Sequence, residues 1–282
     1  MATVKYIGGM STGYASILQD VIRHGDQVSP RGKTTYELTD VIIEMADVHD
    51  GLPTGTGRML NPQIAALEAL QLIAGTTRPE LMFAAAPNFR EYAEPGGFFW
   101  GAYGVRTDGQ IQHVVRKLKD DIDTRQAIIT LWDPVLDNEP GRKDYPCTIG
   151  MQFRIRDDRL DLSVCMRSND VWKGLAYDAF QFTQLQLTVA NVLSIDVGTY
   201  RHHALSLHIY ESDVNKAEDV KAGIATHLEG LGDPNDPDED VHAVIHAATD
   251  ILDNKERDLV TWSEEWYIDR IQSVYTKMNN EG

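Results

Sequence analysis

Residues Asp144 to Gln186 read D-Y-P-C-T-I-G-M-Q-F-R-I-R-D-D-R-L-D-L-S-V-C-M-R-S-N-D-V-W-K-G-L-A-Y-D-A-F-Q-F-T-Q-L-Q, and this stretch decides the fold. Two runs alternate apolar and polar residues, Ile149 to Ile155 and Leu160 to Met166, and Asp157-Asp158 joins them. Alternation bounded by a charged turn predicts a β-hairpin. The hairpin brings Cys147, at the entrance to one strand, beside Arg167-Ser168, at the exit of the other. A thiol beside a guanidinium and a hydroxyl reads as a nucleophile next to an anion site, because a cation lowers a thiol pKa and arginine forks onto phosphate. The plain alternative is two strands with a buried cysteine and a surface arginine. Beyond the hairpin, Gly174 precedes Asp178, which heads an apolar helix pattern running to Ile195. A carboxylate there is also favoured by the helix dipole.

The 282 residues, 42% of them hydrophobic, are read as one domain spanning 1–282. The net charge of -17 opposes non-specific nucleic-acid binding, so a nucleotide binds only where arginines are brought together. No segment is long and apolar enough to span a bilayer, and Met1 to Lys5 lacks a signal-peptide pattern. Two cysteines make no disulfide framework, and no zinc spacing is present. The expectation is a cytoplasmic protein, in a bacterial cell or a phage-infected host, with no metal, no membrane and no nucleic-acid partner.

Before the hairpin, Ser11 to Ile22 has helical spacing with Ser11 as the expected N-cap. Ser29 to Lys33 is a basic loop containing Arg31. Leu38 to Met45 predicts a strand, and Asp50 to Pro53 a turn. Thr54 to Arg58 is expected to be flexible. Asn61 to Gly75 predicts a helix capped by Asn61 with Pro62 in its first turn. Glu68 lies beside that helix's apolar stripe, where a carboxylate is costly unless it is paired or functional. Phe89 to Arg106 is read as an aromatic, glycine-rich loop. Asp108 to Asp121 is an amphipathic helix, and Ala127 to Trp132 a strand. Val197 to Ile209 is a further strand, on which His202 and His203 point to opposite faces and make no metal pair. From Ser212 the chain is expected to be helical, interrupted by an acidic loop from Gly230 to Asp240. Val241 to Leu252 and Trp262 to Met278 read as helices or partly strand.

Pro146-Cys147, Gln152, Arg167-Ser168-Asn169-Asp170 and Gly174-Leu175-Ala176-Tyr177-Asp178 resemble, in order and spacing, the motifs of the thymidylate synthase family. The likeness runs on to His208-Ile209-Tyr210 and back to Glu68 and Arg31. It covers about two thirds of the chain, to roughly Ser212. It implies an α+β fold, a large mixed or antiparallel sheet covered by helices, with a homodimer formed through the sheet. It further implies Cys147 as nucleophile, Glu68 as general acid/base, and Tyr103 and Asp178 in the active site. Arg31, Arg167 and Ser168 would hold the substrate phosphate with Arg125 from the other subunit. His208 and Tyr210 would hold the sugar, and Asp170 and Asp178 the base side. Asp170, Gly174, Tyr177, Arg58 and Phe89 would contact 5,10-methylenetetrahydrofolate, the co-substrate, while the substrate is a pyrimidine nucleoside monophosphate.

Four departures from the family pattern stand out. Gln126 replaces the second arginine of the subunit-crossing pair. Thr148 replaces the histidine that follows the cysteine. Asp178 replaces the asparagine that reads uracil, and aspartate is what the cytidylate hydroxymethylase branch carries. The last residues, Lys277 to Gly282, lack the family's apolar closing tail, so water rather than hydride is expected to end the reaction. The resulting expectation is 5-hydroxymethylation of cytidylate, dCMP or CMP. The alternatives are a thymidylate synthase, a dUMP hydroxymethylase, or an inactive nucleotide- or RNA-binding regulator.

Overall fold

In the computed structural model, which describes residues 3–233, 235, 240–255 and 262–281, the hairpin forms as its alternation dictates. Its strands are β5 (Thr148–Arg156) and β6 (Arg159–Met166). They pair antiparallel from Thr148↔Met166 to Arg156↔Arg159. Asp157 and Asp158 both take positive φ, 51° and 57°. That is the two-residue turn whose twist matches the strands, and aspartate tolerates it.

The remaining elements, in chain order, are β1 (Thr3–Ile7), α1 (Met10–His24), β2 (Asp26–Val28), β3 (Thr35–Met45), α2 (Pro62–Ala74), α3 (Pro79–Ala85), α4 (Tyr103–Thr107), α5 (Gln110–Asp120) and β4 (Ile128–Thr130). After the hairpin come β7 (Asn169–Asp170), α6 (Leu175–Leu193), β8 (Asp196–Tyr210), α7 (Glu211–Glu218), α8 (Val241–Leu252) and α9 (Trp262–Glu281). Eight strands form one mixed sheet in the order β1-β3-β8-β6-β5-β4, with β2 on β3 and β7 on β8. β1/β3 and β6/β8 are parallel, and β3/β8, β5/β6 and β4/β5 antiparallel.

One face of the sheet is the core face. Phe153, Leu162, Val164, Tyr200 and Ala204 point into it and are buried. Their alternates, such as Gln152, Ser163, Cys165 and His203, are only half-buried. His202 is buried and His203 is not, as alternation on a strand requires. The inward set of β8 changes parity between Ala204 and Leu207, opposite Asp40, whose φ is 53°.

α6 is buried along almost its whole length, from Leu175 to Val192. It packs on β6 and β8 and against α2, and α8 and α9 pack on α2 from farther out. α2 starts as its sequence predicts, with the Asn61 side chain accepting from Gln63 N at 2.9 Å, and ends at Gly75 with φ 65°.

Several expectations are corrected. α1 is capped by Gly9, not Ser11. Ser11 instead lies inside the helix and donates its hydroxyl to buried Asp50 at 2.5 Å and to Leu52 O at 3.1 Å. The aromatic stretch from Phe89 to Arg106 is not all loop, for it holds a 3-10 turn at Pro87–Glu91 and the start of α4. After α7 the chain is not helical through 220–230. It runs back along the body, where Gly223 N donates to Ser11 O and Leu228 N to His49 O. Of the acidic loop expected at 230–240, residues 234 and 236–239 lie outside the described residues. Trp262–Glu281 is helix throughout. Among the described residues no helix is long and apolar enough to cross a membrane.

Candidate active site

A cavity of about 220 Å³ opens between α2, the start of α6, and the segment leading into β5. Glu68, Tyr103, Cys147 and Asp178 all line it, and Phe89, Tyr92 and Phe99 form an aromatic wall. The four residues expected to carry chemistry, which come from 68 to 178 in sequence, are therefore brought to one place.

Cys147 sits just before β5, where Pro146 ends the preceding loop. Arg167 N donates to Cys147 O at 2.8 Å, so the hairpin ends meet as its register predicts. The Arg167 guanidinium donates to Pro146 O at 3.0 Å and Tyr145 O at 3.3 Å, which aims it across the thiol. The expected lowering of the thiol pKa is outweighed. Burial raises it to about 11, while Arg167, and more weakly Arg31, pull it down and the Asp178 and Asp144 charges push it up.

Glu68 projects from a helix whose other faces are filled by Leu67, Ala69, Leu70 and Leu72. Its side chain lines the cavity. Burial raises its pKa to about 8, and the Asp178 charge adds to the effect. Asp178 lies in the first turn of α6 and is 9% exposed. It accepts from Asn169 Nδ2 at 2.7 Å and Gln181 Nε2 at 3.2 Å. Burial still lifts its pKa to about 7 against those two donors. The Asp170 charge adds to the rise at Asp178, as the Asp178 charge does at Glu68, and burial with neighbouring like charges is how an enzyme holds protons near neutral pH.

Tyr103 begins α4, and its hydroxyl accepts from Thr148 N at 3.2 Å and Thr148 Oγ1 at 2.9 Å. Its own proton is left for the cavity. Burial, then the nearby Asp178 and Cys147, hold the phenol above its ordinary range. Next to it, a methyl on Gly104 would stand 1.7 Å from Thr76 O, so only glycine lets α4 dock this closely on the end of α2.

Asp170 accepts from Trp172 N at 2.9 Å and Lys173 N at 3.0 Å through Oδ1, while its buried Oδ2 has no hydrogen-bond partner. Its pKa is raised by burial. Arg58 stacks 4.4 Å over Trp172 and donates to Trp172 O at 2.8 Å, so it is anchored rather than flexible. Tyr177 OH accepts from Asn61 N at 2.9 Å. His208 and Tyr210 meet edge to face at 5.5 Å, and Asp170 pairs in register with His208 across β7 and β8. Arg31 and Arg125 are exposed. Neither they nor Ser168, Gly174, His208 or Tyr210 line the cavity.

Gln181, Asp144 and Gln71 also line the cavity and escape a reading of the sequence. The signal for Gln181 is its place one turn after Asp178; for Asp144, three residues before Cys147. Asp144 accepts from Gly101 N at 3.2 Å. Away from the cavity, His49, His227 and Glu229 bring potential ligand atoms within 4.8 Å of one another, a grouping their separation in sequence hides.

The sequence profile described as Thymidylate synthase matches residues 12–225. The chain belongs to the thymidylate synthase family. Among curated relatives, a deoxyuridylate hydroxymethyltransferase of Bacillus phage SP01 is 32% identical over 77% of this chain and 61% of its own length. A deoxyuridylate hydroxymethyltransferase of Pseudomonas phage M6 is 30% identical over 63% of this chain and 53% of its own. A putative thymidylate synthase of Methanothermobacter thermautotrophicus is 25% identical over 78% of this chain and 99% of its own. The match thus spans only about half to three fifths of the length of the two phage relatives. Within this thymidylate synthase family member, α2, the head of α6 and the loop before the hairpin supply Glu68, Asp178 and Asp144, the cavity-lining carboxyls whose pKa values are raised.

Proposed function

We propose that this cavity transfers a one-carbon unit to C5 of a pyrimidine nucleoside monophosphate and that the product carries a hydroxymethyl group. The observation that carries the reading is one buried pocket holding the Cys147 thiol with two carboxyls, Glu68 and Asp178, whose pKa values lie near 8 and 7.

C5 of a pyrimidine is a poor nucleophile. Addition of the Cys147 sulfur to C6 pushes electron density onto C5 and splits a hard step into easier ones. Glu68, protonated near neutral pH, is placed to hand protons to and from the ring, with Tyr103 as a second donor. Arg167, with Ser168, Arg31 and Arg125 from a second copy of the chain, would hold the phosphate. His208 and Tyr210 would hold the sugar hydroxyl. The one-carbon unit comes from 5,10-methylenetetrahydrofolate. Two features fit such a co-substrate: the unpartnered buried Oδ2 of Asp170, and the wall of Phe89, Tyr92 and Phe99 against which a flat ring can stack.

The base depends on the proton state of Asp178. A protonated carboxyl offers one donor and one acceptor, the same pair an asparagine amide offers, and it can meet O4 and N3–H of uracil. The names of the phage relatives favour this reading, deoxyuridylate. A second reading, cytidylate as dCMP or CMP, is favoured by the departure from asparagine to Asp178, since an ionised carboxylate accepts from the cytosine amino group. Hydroxymethylation rather than methylation follows the relatives' names. It needs water, not hydride, to complete the transfer.

Mass spectrometry of products from methylenetetrahydrofolate with dUMP, dCMP and CMP tests this. A hydroxymethyl adduct on any of the three supports the reaction and names the base and sugar. A methyl on dUMP alone replaces the hydroxymethyl reading with methylation, and turnover of none overturns the catalytic one.

A further inference from the structure

Behind Asp178 lies a file of buried side chains that the reaction itself does not use. Asn169 is 2% exposed, and His202 and Tyr200 are each 1% exposed. Asn169 Nδ2 donates to Asp178 Oδ2 at 2.7 Å. Asn169 Oδ1 lies 3.1 Å from His202 Nε2, and His202 Nδ1 lies 2.8 Å from Tyr200 Oη.

The chemistry of each group fixes the direction of the next bond. An amide NH2 only donates, so it faces the carboxylate and turns its carbonyl to His202. That carbonyl only accepts, so His202 carries its proton on Nε2. Nδ1 is then an acceptor, and the Tyr200 hydroxyl donates to it. Burial keeps this imidazole neutral, its pKa lowered to about 3. The polarity therefore runs one way, from Tyr200 through His202 and Asn169 to Asp178 Oδ2.

We propose that Tyr200, His202 and Asn169 are positioning residues that fix which oxygen of Asp178 accepts and which can bear a proton, and so set the selectivity between uracil and cytosine. The inference rests on the reading of Asp178 as the group that contacts the base. With Asn169 donating to Oδ2, a proton on the carboxyl is directed to Oδ1. Gln181 is the longer partner there, at 3.2 Å, and its amide can rotate to accept. Uracil presents an acceptor at C4 and a donor at N3, and cytosine the reverse. The order of donor and acceptor on Asp178 therefore decides which base leaves no buried polar group unpaired. Reversing the relay would reverse that order.

The test measures kcat and KM on dUMP and dCMP, with methylenetetrahydrofolate, for the full chain and for His202→Gln, His202→Leu and Tyr200→Phe. Thermal unfolding is followed in parallel. His202→Gln can still donate to Asn169 and is expected to keep the selectivity ratio within about 3-fold, whereas His202→Leu is expected to shift it by at least about 10-fold. A purely structural role would lower kcat/KM on both bases together or make Gln and Leu indistinguishable, and either result overturns the proposal. If His202→Leu does not fold, Tyr200→Phe decides: an unchanged ratio overturns the relay, and a shifted one supports it. Asp178→Asn separates the two levels. If it leaves the ratio unchanged, the base-contact reading falls and the relay with it; if it moves the ratio while the His202 and Tyr200 variants do not, only the relay falls.

Discussion

Arg167 Nη2 lies 3.9 Å from Cys147 Sγ, yet the thiol stays well above its ordinary range, at about 11. Burial outweighs the one adjacent cation, and the two nearest acids work against the thiolate as well. At pH 8 only about one molecule in a thousand carries a thiolate there. Alkylation of Cys147 by iodoacetamide is expected to be slow at pH 7 and to climb through pH 10. Arg167→Ala is expected to slow it further at any pH in that range. Cys147→Ser is expected to abolish turnover, by at least about 10³-fold, with the fold and nucleotide binding retained. Thiol-trapping rates against pH and single-turnover assays check both.

Glu68 has a folded pKa raised to about 8, far above that of a solvated carboxyl. The unfolded chain releases this proton at lower pH than the folded one, so the group's effect on stability becomes steadily less favourable as pH rises from about 4 to about 8. Glu68→Gln removes the penalty. It is expected to gain stability relative to the parent at pH 8, on the order of 2–4 kcal/mol, and to show no gain near pH 4. The same substitution is expected to cost 10²- to 10⁴-fold, roughly, in kcat. Urea unfolding at the two pH values and steady-state kinetics separate the two effects.

Asp137 is fully buried at its side chain, and Arg106 grips it with two bonds, Nη1 to Oδ2 at 2.6 Å and Nη2 to Oδ1 at 2.8 Å. Trp100 Nε1 adds a third at 2.8 Å. These donors outweigh a desolvation effect of the opposite sign and hold the Asp137 carboxyl below its usual range. Arg106→Ala strands a buried charge and is expected to destabilise the fold by about 3–5 kcal/mol, read by chemical denaturation.

Arg125 is exposed, on the approach to β4. If a second copy of the chain supplies it to the phosphate, Arg125→Ala and Cys147→Ser are each inactive alone. Mixed and reassociated, they are expected to recover about a quarter of parental activity, because half the dimers are mixed and each of those has one whole site. Absence of recovery after verified subunit exchange rules out a shared site.

The parts of this molecule legible in sequence are those set by local rules. The hairpin follows from period-two alternation and a pair of aspartates. α2 follows from Asn61, Pro62 and Gly75. The cluster of Cys147, Glu68, Tyr103 and Asp178 is legible through motif spacing. β1 and β2 are not, because three to five residues at an edge carry too little periodicity to count. Ser11 has the look of a cap, yet long-range bonding to Asp50 claims its hydroxyl. The pairing of Asn169 with His202 depends on where β7 and β8 lie side by side, which no spacing of 33 residues reveals. Nor does any sequence rule show that burial defeats Arg167 at the thiol.

The alternation of β6 turns Cys165 away from the helices while Cys147 faces the cavity beneath them. The protein thus carries an internal reporter on the side of the sheet remote from its chemistry. In a Cys147→Ser background that second thiol takes a fluorophore or spin label alone. If copies of the chain join through this face, its labelling rate falls as protein concentration rises, and one residue outside the cavity measures how tightly the copies hold together.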